Sequence, residues 1–490
     1  MTLSRRALLA GLAASLPLAA EARVDRAIRP FPRPEGLGAP PGPQAILAES
    51  GLAGVSAFAL RDLATGRLIE AHRPEAALPP ASVSKAATAL YALDALGAGY
   101  RFRTLLLASG PVAGGRLEGD LYLVGGGDPH LDTDGLAGLA EQLVQAGVKS
   151  VAGRAFVVDG ALPYHAHIDP LQPPHAGYNP AISGTNLNFN RVYFEWKPDA
   201  GGYWVAMTAR GERFDPPVRM AEIRIAERSS PVFEHRLEGG RDVWSVARGA
   251  LGGGGSRWLP VRMPGLYVAE VFAVLAAQKG VRLPAVNVAR TLPGGLRVLG
   301  TAESAELAPM LRSMLRYSTN LTAEVVGLRA HQQSGGQPGS IAQSADAMTG
   351  WLRRTQGLGD GRFVNHSGLT DETRASPAEL VEMLARAARG PLPGLLRDHP
   401  VSVAEGSREP VRGVQITAKT GTLNFTRGLA GYIGPAGGAP RLAFAILGAD
   451  MAARAASDPR IEQPRGSRAW IGRARRQEDA LLRRWAQLYV

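Results

Sequence analysis

Pro79-Pro80-Ala81-Ser82-Val83-Ser84-Lys85-Ala86-Ala87-Thr88-Ala89-Leu90 is the stretch on which the fold turns. Two prolines stop the preceding run, and Ser82 to Leu96 then reads as an apolar helix closed by Gly97. Ser82 and Lys85 stand at i and i+3, which puts them on one face, one turn apart. A serine at a helix start lies at the positive end of the helix dipole, which favours the negative charge that develops during attack. A lysine amine can take the serine proton only when neutral. Its free pKa of about 10.4 must therefore fall by several units, through burial and a nearby positive charge. Alone the pair is a weak signal, because an N-cap serine three residues before a lysine is common.

Lysine is rare in this chain, however. Of 55 basic residues among 490, only five are lysines: Lys85, Lys149, Lys197, Lys279 and Lys419. With 43 acidic residues the net charge is +12, which suits anionic envelope polymers or a lipid surface. Nucleic acid is not an expected partner, since the arginines are scattered. The absence of cysteine excludes disulfides, thiolate zinc sites and a cysteine nucleophile. A composition of 45% hydrophobic and 20% charged residues fits a folded, soluble chain, and its length calls for two or more domains.

Upstream, residues 1–22 read as a secretory signal: Arg5 and Arg6, an apolar run from Ala7 to Ala20, and the small-x-small site Ala20-Glu21-Ala22. Ser4-Arg5-Arg6-Ala7-Leu8-Leu9 also resembles a twin-arginine signal, which would export a prefolded chain. The mature protein is expected in the periplasm or cell envelope, with no transmembrane segment. Residues 23–50, rich in Pro, Gly and Ala, read as a surface leader. Val55–Asp62 and Arg67–Ala71 then form a β-hairpin.

Downstream, the texture changes between about 110 and 296 to short strands and glycine turns, with helices at Leu136–Ala146 and Leu266–Gln278. Gly252-Gly253-Gly254-Gly255-Ser256 reads as a loop, since no strand–loop–helix context makes it a phosphate cradle. A helical pair is expected at 304–316 and 321–332, and strands at 414–419, 427–434 and 441–449. The terminal helix, 467–490, carries an apolar stripe of Trp470, Ile471, Ala474, Leu481, Leu482, Trp485, Leu488 and Tyr489. Packing on the chain's own sheet is the favoured use of that stripe, with weak membrane-surface association as the other. His165, His167 and Asp169 have metal-ligand character but sit in a proline-rich loop, so no metal or cofactor is expected.

Two further motifs bear on Ser82 and Lys85. Tyr317-Ser318-Thr319-Asn320 occupies the turn between the paired helices, where a hydroxyl can relay a proton and an amide can hold a peptide carbonyl. Lys419-Thr420-Gly421-Thr422 lies on a strand. Glycine there weakens packing unless something approaches the backbone closely, as an extended peptide laid on an edge strand does. A lysine with two hydroxyls beside it would hold a carboxylate.

In this order, Ser-x-x-Lys, Ser-x-Asn and Lys-Thr-Gly are the motif set of the penicillin-recognising serine enzymes. The 236 residues from Ser82 to Ser318 exceed the gap of the β-lactamases. The class A deacylating glutamate is also missing: the one asparagine between Asn320 and Lys419 is Asn365, with Gly361 four residues before it. The chain instead resembles the low-molecular-mass class C penicillin-binding proteins, the D-alanyl-D-alanine carboxypeptidase/endopeptidase family. The likeness extends to Gly126-Gly127-Asp128-Pro129, Leu187-Asn188-Phe189-Asn190, Ser318–Glu324, Ala418–Leu423 and Leu429-Ala430-Gly431-Tyr432. Two departures are Thr319, where Asp is usual, and Asn365-His366-Ser367-Gly368-Leu369, where Asp-Gly-Ser-Gly-Leu is usual. The latter loop is expected to lie away from the chemistry and to bear on fine substrate preference.

The resemblance implies an α+β, multidomain architecture. A transpeptidase/β-lactamase-like domain, an antiparallel sheet flanked by helices, would comprise 23–109 and 297–490, with an accessory module inserted at 110–296. It also implies roles. Ser82 attacks the carbonyl between two D-alanines, Lys85 is the general base, and Ser318 passes the proton to the leaving amine. Asn320 binds the substrate chain; Lys419, Thr420, Gly421 and Thr422 bind its carboxylate end. The backbone amides of Ser82 and Thr422 form the oxyanion hole. Peptidoglycan stem peptides and β-lactams are the implied partners. The rival readings are a β-lactamase or esterase on the same scaffold, and a peptidoglycan-binding protein that keeps only the fold.

Overall fold

The computed structural model describes residues 40–490. The expected signal at 1–22 and the first part of the leader, 23–39, lie outside the described residues.

Alternation in Val55–Asp62 organises the centre of the molecule. Ala57 and Ala59 join the core on one side of the strand, Phe58 and Leu60 the core on the other, and all four are fully buried. The strand pairs antiparallel with Leu68–His72, as the hairpin reading expects, and with Leu442–Ala449 on its other edge. Three more strands complete a six-stranded antiparallel sheet in the order 397–398, 414–423, 426–435, 442–449, 55–62, 68–72.

Small residues on one face, Ala57, Ala59, Ala430, Ala443 and Ala445, let helices approach closely. Helix Pro377–Ala387 lies there, opened by a Ser376–Glu379 capping box. Behind it pack Ser84–Leu96, Leu307–Tyr317, Asn320–Gln333 and Ile341–Thr355. The bulky face is covered by the terminal helix Ser467–Tyr489, whose Leu481, Leu482 and Trp485 bury against Phe58, Leu60, Phe444 and Ile446. With both faces covered, Leu442–Ala449 is buried at every position. Much of the terminal stripe is thus packed on the sheet, as the favoured reading expects, while Ile471 and Leu488 are half-buried. Among the described residues, no helix is long and apolar enough to cross one.

A second body of structure is built on a five-stranded mixed sheet in the order 286–289, 155–158, 121–124, 103–108, 297–303. Helices Thr133–Gln145 and Pro264–Gln278 share one core with it. Three three-stranded sheets (191–199, 202–208 and 255–260; 221–226, 233–238 and 241–247; 112–113, 116–117 and 150–151) complete this half.

The five-stranded sheet includes strands 103–108 and 297–303, which pair with each other. Local expectations differ from the structure at two places. Residues 43–50 of the leader form a helix, with Pro43 at its first turn and Ile46 buried in the core that the terminal helix shares. Gly255 and Ser256 open the strand Gly255–Pro260 rather than continuing a loop, since Gly255 packs its bare backbone against the Trp196 ring.

Candidate active site

Ser82 sits in a single 3-10 turn, Ala81–Val83, which feeds directly into helix Ser84–Leu96. Ala81 has φ 48°, an uncommon backbone for a residue with a side chain and one that cores hold in place at functional sites. The turn lies against strand Val414–Leu423, which is why Gly421 is needed: a Cβ there would stand 2.9 Å from the Ser82 amide nitrogen. The two-residue strand 397–398 pairs with Thr417 and Ala418 only, so the strand edge from Lys419 onward is free. Ser318 ends helix Leu307–Tyr317 in the left-handed conformation, φ 59°, and Asn320 begins the next helix.

These three segments meet around two buried lysines. Lys85 is completely buried, and its Nζ lies 2.9 Å from Ser82 Oγ, 2.7 Å from Asn320 Oδ1 and 2.7 Å from the Ser367 carbonyl oxygen. The Asn320 amide is oriented by its Nδ2, which donates to the Tyr178 carbonyl at 2.8 Å. Asn320 Oδ1 and Ser367 O can only accept hydrogen bonds. A neutral lysine therefore gives its two N–H groups to them and turns its lone pair to the Ser82 hydroxyl. Burial, then the charge of Lys419, holds Lys85 well below the ordinary lysine range, against a smaller upward pull from Glu324.

Lys419 is 1% exposed and donates to Ser318 Oγ at 3.1 Å and to the Thr420 carbonyl at 2.6 Å. Burial, with Arg427 and Arg397 nearby, lowers it to about 7. A cleft of about 800 Å³ opens above this floor; Ser82, Ser318, Asn320 and Thr422 line it. Lys85, Lys419, Thr420 and Gly421 are not among its lining residues. Asp169, Gln172 and Tyr178 form one wall of the cleft.

Ser82, Lys85, Ser318, Asn320 and Lys419 are thus brought together, with Thr420, Gly421 and Thr422 following Lys419 on its strand. The loop 365–369 corrects an expectation, because it does not lie away from the chemistry: the Ser367 carbonyl touches Lys85, and Gly368 and Leu369 line the cleft. His366 itself is fully buried away from the cleft, with Nε2 2.9 Å from Ser344 Oγ. Glu324, part of the Ser318–Glu324 segment, is a residue whose role sequence reasoning misses. Its buried carboxylate accepts the backbone amides of His366 at 3.0 Å and Ser367 at 2.8 Å, so it shapes the turn that holds Lys85. Its place one helical turn after Asn320 was the available signal. The carbonyls of Ser367 and Tyr178 leave no side-chain signal to read.

Known proteins resemble this chain. The family model for D-Ala-D-Ala carboxypeptidase 3 (S13) matches residues 44–464. The chain is 27% identical to the D-alanyl-D-alanine carboxypeptidase of Actinomadura sp. (strain R39), over 82% of this chain and 79% of that one. It is 22% identical to D-alanyl-D-alanine carboxypeptidase DacB of Haemophilus influenzae, over 77% and 81%. In fold it is similar to the crystal structure of penicillin binding protein 4 from Haemophilus influenzae. That match has a TM-score of 0.71 at 18% identity and covers 90% of this chain and 98% of that one. A structure of the same Haemophilus protein complexed with a β-lactam matches with a TM-score of 0.69. With one family model running from the leader helix nearly to the terminal helix, the chain belongs to the D-Ala-D-Ala carboxypeptidase 3 (S13) family.

Proposed function

We propose that Ser82 is the nucleophile with which this serine D-Ala-D-Ala carboxypeptidase/endopeptidase cleaves peptidoglycan stem peptides, and that β-lactams acylate the same oxygen. The observation that carries this reading is the enclosure of Lys85 by two acceptor-only groups, which leaves its lone pair for Ser82 Oγ at 2.9 Å.

Ser82 Oγ adds to the carbonyl between the two D-alanines while its proton passes to Lys85 Nζ. The oxyanion is held by the backbone amides of Ser82 and Thr422, with each such donor typically worth ~3 kcal/mol. Ser318 then delivers a proton to the leaving amine as the C–N bond breaks. Its hydroxyl already touches Lys419, the group positioned to resupply that proton. Water then attacks the acyl-enzyme, its proton returning through Ser318 to Lys419, and Lys85 gives its proton back to Ser82 Oγ as the ester C–O bond breaks. Asn320 flanks the substrate chain, and Thr422 receives the terminal carboxylate at the strand edge under the positive potential of the buried Lys419, with Gly421 allowing close approach.

The insert, extended to 103–303 so that its five-stranded sheet is whole, forms one wall of the cleft on the catalytic domain. Action on a cell-wall polymer places the mature chain outside the cytoplasmic membrane, with 1–22 as its export signal. Replacement of Ser82 by alanine is expected to abolish both labelling by a fluorescent penicillin and alanine release from purified peptidoglycan. Labelling that survives the Ser82→Ala change sinks the nucleophile assignment. Mass analysis of the same digest, for lost alanine against lost cross-links, divides carboxypeptidase from endopeptidase action.

A further inference from the structure

Thr422 faces its cross-strand partner Arg427 across the hairpin closed by Asn424 and Phe425. Arg427 is 6% exposed, and its guanidinium is fully engaged in one direction. Nε lies 3.0 Å from both carboxylate oxygens of Glu478, and Nη2 is 2.9 Å from one of them. Glu478, equally buried, comes from the terminal helix on the far face of the sheet. The remaining arm, Nη1, donates to Thr422 Oγ1 at 2.7 Å.

A buried ion pair is a costly way to fill space. Taking both charges out of water costs several kcal/mol each, and apolar residues of the same volume are often as stable. A pair of this kind beneath the strand edge calls for a use. The hydrogen bond to Thr422 supplies one. Arg427 can only donate, so the Thr422 oxygen must accept, and the hydroxyl hydrogen is left to point elsewhere. Thr422 lines the cleft beside Ser82, and the direction left open is toward the substrate. Arg427 also adds positive potential next to Lys419, one of the causes that lower that lysine.

We infer that Arg427, clamped by Glu478, is a positioning residue for the substrate's terminal carboxylate: it holds the Thr422 hydroxyl as a donor facing the cleft. The inference rests on the active-site reading above and adds a recognition element to it. A hydroxyl free to rotate would lose part of its donor orientation to solvent. One locked by a charged donor is preorganised for an anion and offers less to a neutral end.

The experiment uses two thioester probes, an N-acyl-D-alanyl thioglycolate with a free carboxylate and the same compound capped as its methylamide. Arg427→Met is expected to lower kcat/KM for the free carboxylate at least tenfold, mainly through KM, while the capped probe changes less than twofold. Arg427→Lys, which keeps the charge without the fork, falls between and serves if the methionine variant folds poorly. Thr422→Val combined with Arg427→Met is expected to discriminate no worse than Thr422→Val alone, because one residue acts through the other. Equal losses on both probes, no loss on either, or additive losses in the double variant overturn the inference. Binding of a D-alanyl-D-alanine peptide and its C-terminal amide to Ser82→Ala protein, with and without Arg427→Met, separates the two readings. A wild type that turns over neither probe removes the nucleophile assignment. A binding preference that still depends on Arg427 keeps this one, and a preference independent of Arg427 removes it.

Discussion

The His366 ring occupies the space that Gly327 leaves empty: a Cβ on that glycine would stand 2.2 Å from the imidazole Cγ. The ring has little room to retreat, because Nε2 meets Ser344 Oγ and the backbone amide is held by Glu324. Gly327→Ala is therefore expected to destabilise the protein by ~1–3 kcal/mol, the usual cost of overpacking, read as a lower urea midpoint. It is also expected to slow acylation, since the next carbonyl along is the one on Lys85. His366→Gly in the same background is expected to recover most of the midpoint. A double variant no better than Gly327→Ala overturns the account.

Burial, then His331, lowers His366 to about 3 from an ordinary 6.5. The folded state thus binds its proton less readily than the unfolded chain. The stability this represents is present above about pH 6.5 and is lost as pH falls toward 3, at about 1.4 kcal/mol per unit. Burial also lowers His130, His167 and His399 to about 4, so the loss is shared. His366→Gln is expected to flatten, without abolishing, the fall in urea midpoint between pH 7 and 4.5. An unchanged slope counts against a buried neutral imidazole.

Lys85→Arg is expected to lose acylation by 10³-fold or more, because a guanidinium does not give up its proton. Penicillin labelling followed in time checks it, and a rate within tenfold of wild type removes the base role.

Lys419 is the second cause that lowers Lys85. Removing its charge lets the Lys85 amine hold its proton to higher pH. Lys419→Gln is thus expected to move the acid limb of the acylation profile to higher pH, besides slowing the reaction. A slower profile with an unmoved acid limb leaves Lys419 a role in binding alone.

Much of the site was legible from local pattern. The hairpin at 55–72, the helix after Pro79-Pro80, the helix pair around Ser318 and the strand bearing Lys419 each announce themselves through punctuation and period. The partnership of strands 103–108 and 297–303 was not legible, because segments so far apart in the chain reveal it only by pairing. The terminal helix was legible as amphipathic, but its Glu478 reads as one more charge on a charged face until the sheet covers it.

The sequence alone pointed to the chemistry proposed for the site, since Ser82, Lys85, Ser318, Asn320 and Lys419 are side chains whose type and spacing suggest it. The tertiary structure decided what holds and tunes them. The Ser367 and Tyr178 carbonyls, the Glu324 brace and the Arg427–Glu478 clamp act from elements remote in the chain, in part through backbone atoms common to every residue. Lys85 has a lowered pKa because packing removes water and brings Lys419 near, and both are properties of the folded environment rather than of lysine.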